Sequence, residues 1–142
     1  QGEILGGCID TLYDIFDTTR HEDSVSLCKK YALFPDLEDW KGKILLLESS
    51  ENQPHPEKYR KMLKALKQSG IFEVLSGVLV GKPMDERYAK EYQEILPEVI
   101  DNPSLPIVFN LNVGHATPRA IVPFGIMAKV DVSAQRISFS RE

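Results

Sequence analysis

Two polar residues of this chain stand directly behind apolar runs of strand length. Glu48 follows Ile44-Leu45-Leu46-Leu47, and His115 follows the run Ile107 to Val113 across one residue, Gly114. Open α/β sheets gather their ligands at the carboxyl ends of strands. Both side chains are therefore expected at one sheet edge if the two strands are parallel neighbours. A carboxylate within hydrogen-bond reach of an imidazole fixes its tautomer and stabilises the imidazolium, which is the base-and-orienter part of a nucleophilic triad. The competing reading is that Glu48 caps a loop and His115 a turn, and spacing alone does not choose between them.

A nucleophile is harder to find. Ser49 and Ser50 follow Glu48 at once but lack the Gly-x-Ser-x-Gly elbow that exposes a reactive hydroxyl. Cys8 precedes an expected helix start at Asp10, where the positive end of the helix depresses a thiol pKa; it fits equally as a small buried apolar residue. Glu48, Glu51, His55, Glu57 and His115 include metal-ligand types. However, Pro54 and Pro56 flank His55 and break the helix that would bring Glu51 and His55 to one side, so neither metal nor cofactor is expected. Gly81-Lys82 lacks the glycine pattern of a phosphate loop.

The elements that must position these residues read in order. Glu3 to Leu5 is a short strand, with Gly6-Gly7 as a sharp break after it that allows positive φ or close backbone approach before the next element. Ile9, Leu12, Tyr13 and Phe16 form a helical stripe of two turns, and Glu22 to Tyr31 a weaker helix with Val25 and Cys28 inward. The continuous run Ile44 to Leu47 suits a strand buried on both faces of a parallel sheet. Pro56 opens a helix with the stripe Tyr59, Met62, Leu63 and Leu66, closed by Gly70. Val74 to Val80 is the next strand. Asp85 is placed to cap a helix carrying Tyr88, Tyr92, Ile95, Leu96 and Val99, which Pro97 should kink or interrupt near its end. After the strand Ile107 to Val113, the alternation in Ile126 to Val132 and Arg136 to Phe139 predicts a hairpin with one solvated face. The fold class is α/β: a mostly parallel sheet with flanking helices and an antiparallel carboxyl-terminal hairpin, in one domain over residues 1–142.

Composition narrows the function classes. A chain of 142 residues with 42% apolar and 27% charged residues is of ordinary globular type. With a net charge of −4 and no block of basic residues, nucleic acid is not an expected partner. Two cysteines without CxxC spacing suggest a reduced, intracellular protein. No apolar run reaches the roughly 18 residues of a membrane span, so no membrane partner is expected. The start at Gln1, leading straight into a strand, suggests a piece of something longer.

Four motifs then occur in order: Gly6-Gly7-Cys8-Ile9-Asp10-Thr11-Leu12, Gly42-Lys43-Ile44-Leu45-Leu46-Leu47-Glu48-Ser49-Ser50-Glu51, Ser76-Gly77-Val78-Leu79-Val80-Gly81-Lys82-Pro83 and Asn110-Leu111-Asn112-Val113-Gly114-His115-Ala116-Thr117-Pro118. Together they resemble the carboxyl-terminal half of the LD-carboxypeptidase family, closest to its microcin C immunity branch. The resemblance implies a swivelling β/β/α domain of a cytoplasmic, homodimeric serine peptidase that works without metal or cofactor. Its Ser-Glu-His triad draws the serine from a separate amino-terminal domain. The family's glutamate falls on Glu48 and its histidine on His115, with Glu51, Asn112 and Gly114 in supporting positions. The implied substrate is an LD-peptide of peptidoglycan fragments or a peptidyl-aminoacyl-nucleotide amide. Nothing in these residues corresponds to the nucleophile domain, so the chain alone is expected to be inactive. The alternative, from a different class, is a non-catalytic binding or dimerisation module of the same fold.

Overall fold

The continuous apolar run at 44–47 needs cover on both sides, and the architecture follows from how that cover is supplied. A computed structural model describes residues 1–140. Its strands are β1 (Gly2–Cys8), β2 (Ile44–Glu48), β3 (Gly77–Gly81), β4 (Ile107–Leu111), β5 (Met127–Asp131) and β6 (Arg136–Ser140). They form a six-stranded sheet in the order β4-β3-β2-β1-β5-β6. β1 to β4 are parallel, whereas β5 runs antiparallel to both β1 and β6. The helices are α1 (Ile9–Tyr13), α2 (Ser24–Lys30), α3 (Leu37–Trp40), α4 (Pro56–Gln68) and α5 (Ala89–Ile100).

Alternate residues of β2 enter different cores. Leu45 and Leu47 pack with Val78 and Val80 against Tyr59, Met62, Leu63 and Leu66 of α4 and Ile95, Leu96 and Val99 of α5. Ile44 and Leu46 pack on the other face with Ile4, Leu79, Val113 and Ala128, flanked by Val130 and Ile137 of the hairpin. Helices therefore cover one face and the β5–β6 hairpin helps cover the other, which is the layering expected for a mostly parallel sheet with an antiparallel addition.

α4 is the best specified helix. Pro56 takes its first position, His55 Nδ1 accepts from the Glu57 N–H at 3.5 Å, and Gly70 leaves the helix end at φ 83°. Its Tyr59 ring stacks on Tyr92 of α5 at a centroid distance of 4.0 Å.

Several expectations are corrected. Gly6 and Gly7 do not break β1; they continue it at φ 125° and 140°, in register with Leu46 and Leu47. A Cβ on Gly6 would run into the Leu46 carbonyl, so the close backbone approach expected here is present, but within the strand rather than at its end. α1 stops after five residues, although Leu12, Tyr13 and Phe16 still pack on the helix-side core. α2 buries none of its residues, and Val25 is exposed, because α2 is not laid against the sheet. The third strand starts at Gly77; residues Ile71–Glu73 form a short 3-10 turn before it. Asp85 caps nothing. It lies in a 3-10 turn, Met84–Glu86, with φ 54°, and Tyr88 is the residue at the start of α5. α5 passes through Pro97 to Ile100, since a missing N–H in the last turn costs one bond while Leu96, Val99 and Ile100 stay packed. β4 ends at Leu111, where Asn110 at φ 67° marks the irregular register against β3.

Leu63 is fully buried between α4 and the sheet. Leu63→Ala is expected to lower unfolding free energy by about 2–5 kcal/mol. Urea denaturation followed by circular dichroism measures it, as a drop in midpoint at unchanged slope.

Candidate active site

Glu48 and His115 come from strands that are not neighbours. β3 lies between β2 and the β4 segment, so the adjacency assumed from the sequence is wrong. The gap is bridged because β3 ends in Gly81. A Cβ there would lie 2.9 Å from Glu48 Cβ and 2.7 Å from the Val113 carbonyl oxygen. Without one, the Glu48 side chain and the chain after β4 meet over the end of β3.

The approach from the β4 side is equally specified. The Lys82 N–H donates to the Leu111 carbonyl at 2.7 Å, and the Val113 N–H donates to the same oxygen at 2.8 Å. Val113 and Ala116 are buried on either side of Gly114-His115 and hold that short segment down. Gly114 turns the backbone at φ 89°, and a Cβ on it would stand 2.5 Å from Glu48 Oε2. Its supporting role is thus steric: it leaves room for the carboxylate.

His115 Nδ1 then lies 2.8 Å from Glu48 Oε2, and Nε2 lies 3.0 Å from Glu51 Oε2. The Glu48 side chain is 11% exposed and that of Glu51 62%. A neutral imidazole donates from one nitrogen only, so both contacts are hydrogen bonds only when the ring is protonated. The hydrogen bond with Glu48 is the largest influence and raises the His115 pKa above its ordinary 6.5. Desolvation opposes it, the charges of Glu48 and Glu51 add to it, and Arg119 subtracts from it. This arrangement can orient an imidazole, hold its Nδ1 proton and present Nε2 for proton transfer.

The other sequence candidates fall elsewhere. Asn112 is exposed, and its carbonyl accepts from the Ala120 N–H at 2.6 Å. Ser50 Oγ accepts from the Asn52 N–H at 3.3 Å; Ser49 Oγ is buried with no hydrogen-bond partner among the described residues. Cys8 is the register partner of Glu48, yet its thiol pKa is pushed up by burial, with the charges of Glu48 and Asp10 adding, the reverse of the depression expected at a helix start. His55 is spent on α4 and packs edge-on against Tyr88 at 5.6 Å. Sequence reasoning passed over Gly81. That β3 lies between the two site residues, so that its closing glycine matters, is set by sheet order and not by any local pattern.

A family model described as LD-carboxypeptidase C-terminal domain matches residues 1–130. The chain is 23% identical over 145 residues to the microcin C7 self-immunity protein MccF of Escherichia coli, an alignment covering 100% of this chain and 37% of that protein. It is 23% identical over 138 residues to the probable murein peptide carboxypeptidase of Bacillus subtilis (strain 168), covering 94% and 38%. The crystal structure of an MccF-like protein from Streptococcus pneumoniae in complex with AMP matches with a TM-score of 0.95 at 61% identity, over 98% of this chain and 40% of that one. The chain thus spans about two-fifths of the length of these relatives.

The raised His115 pKa has a definite sign. The stability it contributes is complete below the unfolded pKa of about 6.5 and is lost as pH rises through the higher folded value. NMR titration of the His115 imidazole is expected to give a midpoint above 6.5, and Glu48→Gln to bring it down toward 6.5. Gly114→Ala is expected to break the 2.8 Å contact and lower the midpoint in the same way.

Proposed function

The chain belongs to the LD-carboxypeptidase C-terminal domain family, and from that premise we propose that it supplies two members of a Ser-Glu-His hydrolytic site. His115 is the general base and then the general acid. Glu48 orients it. The observation that carries this reading is the 2.8 Å contact from the well-buried Glu48 to Nδ1, which leaves Nε2 to the exposed Glu51 carboxylate.

The nucleophilic serine and the oxyanion hole belong, in this reading, to an amino-terminal domain outside these 142 residues, so the chain alone does not hydrolyse. When the serine attacks the scissile carbonyl, Nε2 accepts its proton and later delivers it to the leaving amine. A water then releases the acyl group through the same imidazole. No step calls on a metal or cofactor. Glu51, highly exposed, must leave Nε2 before the hydroxyl takes its place.

The substrate class we favour is a peptidyl-aminoacyl-nucleotide amide rather than an LD-linked muropeptide. Support comes from the 61% identity to an MccF-like protein whose structure holds AMP, against 23% to the murein carboxypeptidase. A cytoplasmic homodimer completes the proposal. Exposed Ile121, Phe124, Val132 and Phe139, on and before the hairpin, leave apolar surface for such an assembly. Among the described residues no helix is long and apolar enough to cross a membrane.

Steady-state kinetics on the complete protein carrying this chain tests the reading. Glu48→Ala and His115→Ala are each expected to reduce kcat/KM by at least about 10³-fold on a peptidyl-aminoacyl-nucleotide amide. Full activity in both would leave the non-catalytic binding or dimerisation module. Faster cleavage of an LD-tetrapeptide than of the nucleotide amide would overturn the substrate assignment. The wild-type kcat/KM should rise with pH along an acid limb set by His115, with its midpoint above 6.5.

A further inference from the structure

The turn leaving β2 delivers two carboxylates to one imidazole, Glu48 to Nδ1 and Glu51 to Nε2. Between them sits Ser50, only 5% exposed, whose backbone N–H needs an acceptor inside the protein. That acceptor comes from 40 residues earlier: Asp10 Oδ2, in the first turn of α1, lies 3.2 Å from the Ser50 nitrogen.

The Asp10 side chain is itself 11% exposed and is held from several directions. The Cys8 thiol lies 3.8 Å from the same Oδ2, and Lys58 Nζ of α4 lies 3.9 Å from Oδ1. The charge of Asp10 also reaches Tyr92 of α5, whose hydroxyl donates to the Pro54 carbonyl in the loop that follows the turn. One carboxylate therefore ties the β1–α1 junction, the Glu48–Glu51 turn and the start of α4 together. It makes no hydrogen bond or ion pair to His115, which is faced by Glu48, Glu51 and Arg119.

From this geometry we propose that Asp10 is a positioning residue of the hydrolytic site: by accepting the Ser50 N–H it fixes the turn that aims Glu48 at His115. The proposal rests on the Glu48–His115 reading above. It assigns the work to the hydrogen bond rather than to the charge. An amide oxygen at the same place then serves nearly as well as a carboxylate oxygen, while a methyl group does not. A displacement of the turn by a fraction of an ångström is felt at Nδ1, where Gly81 and Gly114 leave Glu48 no spare room.

The test combines kcat, KM and the His115 NMR titration in the complete protein for wild type, Asp10→Asn, Asp10→Ala and Lys58→Met, with Glu48→Gln as reference. Asp10→Ala is expected to lose about 10- to 100-fold in kcat, with KM within about 3-fold, and to shift the His115 midpoint toward that of Glu48→Gln. Asp10→Asn and Lys58→Met should keep both near wild type. Should Asp10→Ala fail to fold, the wild-type Ser50 amide proton decides, since its shift must follow the titration of the Asp10 carboxyl if it donates there. Wild-type kcat and titration in Asp10→Ala, alongside a large change in Glu48→Gln, would overturn the positioning role and leave the hydrolytic reading standing. A loss in Asp10→Asn equal to that in Asp10→Ala, or a Ser50 amide that ignores the Asp10 titration, would also overturn it. No change in Glu48→Gln would remove the hydrolytic reading and this proposal with it.

Discussion

The contact between Glu48 and His115 spans a strand that contributes no side chain to it. Glu48 ends β2, His115 follows β4, and β3 runs between them, so the two residues can meet only if the end of β3 is empty of side chain. Gly81 provides that gap and Gly114 the matching one beneath the carboxylate. Either position filled with a methyl group would drive the 2.8 Å pair apart. The sheet order, the glycine that closes β3 and the positive φ at Gly114 are therefore one constraint seen at three levels.

The remainder of the fold makes that constraint rigid. β2 is packed by both cores, Leu45 and Leu47 on the helix side and Ile44 and Leu46 on the hairpin side. A strand packed on two faces has little freedom to slide or tilt. Its last residue thus leaves the sheet from a fixed point, and the Asp10 carboxylate takes hold of the turn two residues later. On the other side, Val113 and Ala116 anchor the histidine segment by burial rather than by regular pairing. His115 is four residues past β4, yet it is not a free loop residue.

How much of this was legible in the sequence depends on whether the signal was local. The apolar runs of β2 and β3, the stripe and proline start of α4 and the alternation of β5 and β6 are periodic, and those elements formed close to where the pattern put them. At Gly6-Gly7 the expected positive φ and close backbone approach are present, against the Leu46 carbonyl, but the expected break is not, because glycine permits that approach inside a continuing strand. Asp85 looked like a cap by residue type, but the three positive φ values at Asp85, Glu86 and Tyr88 belong to a loop shape no periodicity announces. At the site, strand-end placement singled out Glu48 and His115. The intervening strand, Gly81 and the Asp10–Ser50 hydrogen bond depend on sheet order and on contacts 40 residues apart, so they became visible only in three dimensions.

Burial separates two carboxylates that distance alone does not. Glu48 and Glu51 lie 2.8 and 3.0 Å from the two nitrogens of one ring, so the protonated imidazole satisfies both. Once the ring gives up a proton, it can still donate to only one of them. The Nδ1 proton stays with Glu48, whose carboxylate is packed under Gly114 and has nowhere to go. At Nε2 a lone pair then faces the Glu51 oxygen, and the attraction becomes a repulsion. Glu51 is 62% exposed, so its carboxylate recovers solvation simply by turning outward. On the proposed hydrolytic reading, deprotonation of His115 thus does two things at once: it creates the base and clears the position the serine hydroxyl of that reading would occupy.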